Sequence, residues 1–206
     1  MTADNYHDQY GVLLNLLGIT DAAELSAYDL LASDLYAATA LAYAERQPKL
    51  AMDELSTIHA IMFAEIYPWA GKPRTVPLFK RDTQFAEPAR IPGFVDRLMP
   101  QFQQAAAANP ADLSRFLSEL WGRLNWLHPF PEGNGRTTQI FITAVARQHG
   151  RDIDWSAITR AAELDAARAS VKQDFQPYRL LLLRALHDRA PTDTPTVHFP
   201  TRTDGR

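Results

Sequence analysis

Residues 127–141 read LHPFPEGNGRTTQIF, and they join the end of one helix to the start of the next through a loop with two glycines. Gly133 and Gly135 let the backbone pass close to a ligand, while the free N–H groups of the helix beginning near Asn134 point into the loop. Such an arrangement binds anions, and the helix dipole contributes roughly 0.3–1 kcal/mol toward a bound negative group. Phosphate is the natural candidate. Arg136 falls in the first helical turn, where a cation opposes the dipole and an anionic ligand would offset the cost. Glu132 would repel phosphate on its own, but a carboxylate beside phosphates is the usual holder of magnesium, which marks it as a metal ligand. His128, with an ordinary pKa of about 6.5, can take a proton from an incoming hydroxyl, a role that contributes on the order of 10² to 10⁴ in rate. Singly, a histidine at a helix end, a Gly-Asn-Gly turn and a helical arginine each have an ordinary structural reading. Their concentration in nine residues, framed by Leu127, Phe130, Ile140 and Phe141 as inward anchors, favours a nucleotide-phosphate site. No Gly-Lys-Ser or Gly-Lys-Thr follows a strand here and no second histidine pairs with His128, which sets aside a P-loop and a zinc-protease helix.

Outward from this loop the chain reads as mostly helical. Leu25, Tyr28, Leu31, Leu35, Thr39 and Ala42 recur at three and four between Asp21 and Arg46 and predict an amphipathic helix with that stripe inward. A second helix is predicted over about Met52 to Ile66, with Leu55, Ile58, His59, Met62 and Phe63 inward and His59 a buried, hydrogen-bonded side chain. Between Trp69 and Pro92 the period disappears, and short runs such as Arg74-Thr-Val and Leu78-Phe-Lys between glycine and prolines predict a two-stranded hairpin. Further helices are expected over about Ile91 to Ala108, Pro110 to Leu127 (with Asn109 as N-cap), Asn134 to His149, Trp155 to Asp174 and Pro177 to Asp188. One domain is expected over residues 1–190, with 191–206 as a mobile tail too poor in apolar residues to pack.

The 206 residues are 46 % hydrophobic, with 21 basic against 24 acidic side chains and a net charge of −3, so no global positive field exists to hold nucleic acid. There is no cysteine, no basic start with an apolar run, and no apolar stretch near the ~20 residues of a membrane helix. A soluble, cytoplasmic protein without membrane or nucleic-acid partners is expected.

The loop resembles the active-site motif of the Fic (filamentation induced by cyclic AMP) family, His-x-Phe-x-(Asp/Glu)-Gly-Asn-Gly-Arg-x-x-Arg, through His128, Phe130, Glu132, Gly133, Asn134, Gly135 and Arg136. Gly11 to Leu25 and His59 to Lys80 are similar to other family segments, so the resemblance covers roughly residues 10–190. It implies a helical bundle with a short β-hairpin flap, and transfer of AMP from ATP, with Mg²⁺, to a Ser, Thr or Tyr hydroxyl of a target protein. By this resemblance His128 is the base, Glu132 the Mg²⁺ ligand, and Asn134 with the loop amides of Gly133 and Gly135 the α-phosphate holder. Arg136 binds the β-phosphate. The flap around Lys80 to Ala86 pairs with an extended segment of the target, where Phe85 clamps the modified side chain. At the family's second arginine this chain has Gln139, which cannot neutralise a phosphate and puts the hold on the γ-phosphate in question. Thr20 to Glu24, Thr83 to Glu87 and Thr159 to Glu163 have the spacing of the family's inhibitory Ser/Thr-x-x-x-Glu-Gly/Asn helix, but none completes it. A separate small antitoxin, or no such inhibition, is expected. Some toxins of this family act on DNA gyrase or topoisomerase IV subunits, which makes these candidate targets by analogy, and delivery into another cell as an effector is also compatible. Two other readings stay open: the same fold with another donor (UMP, phosphocholine or phosphate) or removing AMP, and a non-catalytic nucleotide-binding module.

Overall fold

The computed structural model describes residues 6–80, 83–108 and 112–189. The predicted helix start at Asn109 and Pro110 and the predicted tail therefore lie outside the described residues.

Helix α1 (Ala22–Glu45) starts at Asp21, whose carboxylate accepts from the N–H of Glu24, a regular N-cap. Helix α2 (Met52–Phe63) follows, and Leu55, Ile58, His59, Met62 and Phe63 are all buried, as the periodicity predicts. The inward stripe predicted for α1 is corrected. Tyr28, Leu31 and Leu35 are 49 %, 68 % and 71 % exposed, and the buried face carries Leu25, Asp29, Ser33, Ala37, Ala40, Leu41 and Ala44. Small residues on that face let α1 approach its neighbours closely, and its two polar residues pair with a residue from far along the chain, described below.

The hairpin is present, with β1 (Phe79–Lys80) antiparallel to β2 (Thr83–Gln84) in the register Phe79 opposite Gln84 and Lys80 opposite Thr83. Arg74-Thr-Val is not one of its strands; the Arg74 N–H donates instead to the carbonyl of Pro129, 2.7 Å away. A single 3₁₀ turn at Pro88–Arg90 leads to α3 (Phe94–Ala108) and then α4 (Leu113–Leu127). Helix α5 (Asn134–Gln148) is the central element, because every residue from Thr137 to Arg147 is buried. It packs against α1, α2 and α4. Two of its polar side chains are paired inside: Thr143 donates to the carbonyl of Gln139 and accepts from the Trp155 indole, and Arg147 meets Asp152 at 2.6 Å and Glu45 at 2.9 Å.

The C-terminal part differs from expectation in two places. Trp155–Ala157 is a 3₁₀ turn separate from α6 (Arg160–Val171), which starts at the N-cap Thr159. Helix α7 (Gln176–Ala185) stops early, and β4 (Leu186–Asp188) pairs antiparallel with β3 (Arg151–Ile153), a second ribbon that the helical reading missed. Tyr178 of α7 stacks on Trp121 of α4 at 4.1 Å between ring centroids and so ties the end of the chain to the helix that carries the loop.

Candidate active site

The loop between α4 and α5 is held from four directions. Helix α4 ends on His128 in a left-handed conformation (φ 45°), unusual for a residue with a Cβ. This turn aims the imidazole back at its own helix, and its Nδ1–H donates to the carbonyl of Asn125 at 3.0 Å. That bond selects the tautomer with an unprotonated Nε2, which is buried and has no hydrogen-bond partner among the described residues. The ring of Phe85 lies on the imidazole, 3.9 Å between centroids and 21° between planes. Burial, reinforced by the charge of Lys80, lowers the pKa of His128 to about 3.

Beyond His128 the side-chain amide of Asn134 bridges the loop, accepting from the N–H of Phe130 at 2.8 Å and donating to its carbonyl at 2.7 Å. Asn134 thus shapes the loop from inside. Gly133 has φ 78°, and a Cβ there would lie 2.6 Å from the Phe63 ring. The N–H groups of Asn134, Gly135 and Arg136, in the first turn of α5, have no partner among the described residues. A Cβ built on Gly135 meets nothing within 4 Å, so the side-chain direction of this residue is open.

His59 locks the loop to α2. Its Nε2–H donates to the carbonyl of Glu132 at 3.0 Å, its Nδ1 accepts from the Gly71 N–H at 2.9 Å, and its ring lies 3.9 Å from that of Phe130. Burial lowers its pKa to about 3, so it is a neutral structural bridge, as expected from the sequence.

The charged groups pair in an order that the motif alone does not reveal. Arg136 forms an ion pair with Asp29 and donates to Ser33 Oγ at 2.7 Å, with its guanidinium 5.0 Å from the Phe63 ring centroid. The charge that opposes the α5 dipole is therefore balanced from α1. Glu132 accepts from the Gly133 N–H at 3.0 Å and meets Lys80 Nζ of the hairpin at 3.4 Å. Burial alone would raise the Glu132 carboxyl, but Lys80, the Gly133 N–H and Arg136 hold it at about 2. No group of three or more His, Cys, Asp or Glu side chains suited to a metal occurs among the described residues. Glu132 is a lone carboxylate, which suits a cation that takes most of its oxygens from phosphates and water. Gln139, buried on α5, donates to Glu163 Oε1 at 3.1 Å, while Arg160 holds the other carboxylate oxygen at 2.9 Å. Of the three segments with inhibitory spacing, Thr159 to Glu163 is thus the one whose glutamate reaches position 139.

The structure gathers His128, Glu132, Gly133, Asn134, Gly135, Arg136, Lys80 and Phe85 around one loop, and places Gln139 further along α5 toward α6. Sequence reasoning missed Asp29 and Ser33, which hold Arg136, and Arg74, whose side chain reaches four carbonyls around the loop. Asp29 and Ser33 lie off the apolar stripe read for α1, so no periodic signal marked the first pair. Nothing in the spacing of Arg74 marks it.

The Fic/DOC family model matches residues 49–146. The protein adenylyltransferase VbhT of Bartonella schoenbuchensis is 34 % identical over 177 residues, 82 % of this chain, so this chain spans about a third (35 %) of VbhT. The y4lH protein of Sinorhizobium fredii, named a probable protein adenylyltransferase, is 30 % identical over 174 residues, which cover 81 % of this chain and 86 % of y4lH. Among solved structures, the BepC effector of Bartonella tribocorum with bound AMPPNP has a TM-score of 0.75 at 21 % identity, covering 90 % of this chain and 98 % of that one. The N-terminal domain of a Bartonella quintana effector with bound ADP has a TM-score of 0.67 at 23 % identity, covering 90 % and 95 % of the two chains. These two likenesses establish the helical fold.

Proposed function

The chain belongs to the Fic/DOC family, and on that footing we propose that it transfers AMP from ATP to a Ser, Thr or Tyr hydroxyl of a protein target. The observation that carries this reading is the unprotonated Nε2 of His128, fixed by the Asn125 carbonyl at one end of a loop whose other end carries the unpartnered N–H groups of Gly135 and Arg136. In this reaction the target oxygen attacks the α-phosphorus, its proton passes to His128 Nε2, and the bond to the pyrophosphate oxygen breaks as pyrophosphate leaves. The loop amides and the positive end of α5 stabilise charge on the α-phosphate, and Asn134 holds the loop in the shape that presents them. Arg136, at the same end of the helix, would meet the β-phosphate from its place beside Asp29 and Ser33. Glu132 would hold Mg²⁺, which neutralises phosphate charge when bound, and Lys80 would then release the carboxylate. With Gln139 at the second arginine position and its amide donated to Glu163, that position offers the γ-phosphate no cation.

The hairpin suits a protein target. Its strands are short and largely exposed, and an extended segment could add to their edge with its hydroxyl side chain at Phe85. DNA gyrase and topoisomerase IV subunits in the cytoplasm are the first targets to try. A separate antitoxin suits the chain, since Thr159 to Glu163 leads into Leu164 and does not complete an inhibitory motif. No helix among the described residues is long and apolar enough to cross a membrane.

The test is incubation of the purified protein with α-³²P-ATP and Mg²⁺ in a bacterial lysate, beside a His128→Ala control. A labelled band that carries the mass of AMP and disappears in the control is the expected result. Tight ATP binding without any label would reject adenylyl transfer and point to another donor.

A further inference from the structure

Arg74 is buried, yet it forms no ion pair among the described residues. Its guanidinium is surrounded by carbonyl oxygens: Nε donates to His128 at 2.8 Å, Nη1 to Val76 at 2.8 Å, and Nη2 to Ala86 and, at 3.3 Å, to Leu127. Removing a charge from water without a counter-ion is costly, and these dipoles offset the cost, two of them at the negative end of α4.

The acceptors belong to segments that chemistry at this site must hold together. The His128 carbonyl and the Pro129 carbonyl, which accepts from the Arg74 N–H at 2.7 Å, lie on either side of the left-handed residue's exit. With both fixed, the peptide after His128 cannot rotate, and the imidazole keeps the direction that the Asn125 carbonyl selects. The same guanidinium grips Ala86, the residue after Phe85, whose N–H donates to Trp126 at 3.0 Å. The end of the flap is therefore clamped between Arg74 and the end of α4.

We propose that Arg74 is a positioning residue, a buried guanidinium clamp that fixes the left-handed backbone of His128 and the Phe85 end of the flap in one rigid frame. The proposal rests on His128 being the base. Only a planar fork with several N–H groups meets these acceptors together; an ammonium keeps the charge but cannot span them.

The test compares the full chain with Arg74→Lys and Arg74→Ala. Single-turnover transfer of labelled AMP should fall on the order of 10²-fold in Arg74→Lys, as a misplaced base does, with the KM for ATP within a few-fold of the parent. Added guanidinium should restore part of the rate in Arg74→Ala. In the parent, hydrogen exchange of the Ala86 and Arg74 amides should open together with equal free energies under increasing denaturant. Parent-like turnover by Arg74→Lys, or an Ala86 amide that exchanges far faster than that of Arg74, overturns the clamp. If the parent transfers no AMP, the proposed function fails, and the exchange experiment still decides on Arg74. It also decides if the variants do not fold.

Discussion

The imidazole of His128 is covered face to face by the ring of Phe85, 3.9 Å between centroids, and its Nε2 is buried. A hydroxyl can reach Nε2 only after the packing around the ring shifts. Desolvation is the largest influence on its low pKa, and the stacked Phe85 ring is one of the groups that keep water from it.

Phe85→Ala should therefore raise the His128 pKa from about 3 toward the ordinary histidine value, and should speed modification of the ring by diethylpyrocarbonate. Loss of the buried ring should cost roughly 1.5–3 kcal/mol in urea unfolding. Imidazole titration by long-range ¹H–¹⁵N NMR checks the first point. An unchanged titration would mean that the cover comes from elsewhere.

Acid should weaken the fold in a defined window. Folded His59 and His128 bind protons only near pH 3, whereas the unfolded chain binds them from about 6.5 downward. Between these values the unfolded state holds more protons, so stability is fully present above 6.5 and is lost progressively as pH falls toward 3. Glu132 acts in the same direction lower down, from 4.5 to about 2. Urea midpoints at pH 7.5, 6.0 and 5.0 should fall in that order, and His128→Ala should fall less steeply. Equal slopes in the two proteins would count against a buried neutral His128.

The two glycines of the loop should separate folding from ligand binding. Gly133→Ala places a Cβ in a left-handed backbone and 2.6 Å from Phe63, and should destabilise by about 2 kcal/mol or more. Gly135→Ala meets open space in a helical first turn and should be neutral or stabilising by up to about 1 kcal/mol. If a phosphate occupies that space, the same methyl should weaken ATP binding about tenfold or more, a loss of some 1.4 kcal/mol. Calorimetry beside urea unfolding measures both, and a stable Gly135→Ala protein with parent-like ATP affinity would place the nucleotide elsewhere.

Gln139 is within 3.1 Å of Glu163, so an arginine introduced there would meet a carboxylate before it met a phosphate. Gln139→Arg alone should tighten ATP binding little. Combined with Glu163→Gln it should gain about tenfold, in line with a charge-assisted hydrogen bond. A double variant that binds ATP no better than the parent would show that position 139 does not face the triphosphate.

Much of the site was legible in the linear sequence because it is local. Helix end, glycine loop and helix start lie within residues 127–141, and the nature of those residues determines which backbone turns are allowed and which N–H groups stay unpaired. The buried face of α2 was legible for the same reason, since its apolar residues repeat at the helical period. The outcome for α1 was different: Leu31 and Leu35 carry the apolar period but face outward, while Asp29 and Ser33 turn inward to Arg136, 107 and 103 residues away. Periodicity records hydrophobicity, and a polar residue satisfied by a distant partner is invisible to it. The same holds for Arg74 on the His128 carbonyl, 54 residues away, for Phe85 over the imidazole, and for the β3–β4 ribbon, too short to carry a pattern. The sequence by itself determined that the chain is mostly helical, where the loop falls and which histidine is the candidate base. Which charges that loop has free, and what covers its histidine, were decided by tertiary packing, because buried polar groups must find partners wherever the folded chain brings them.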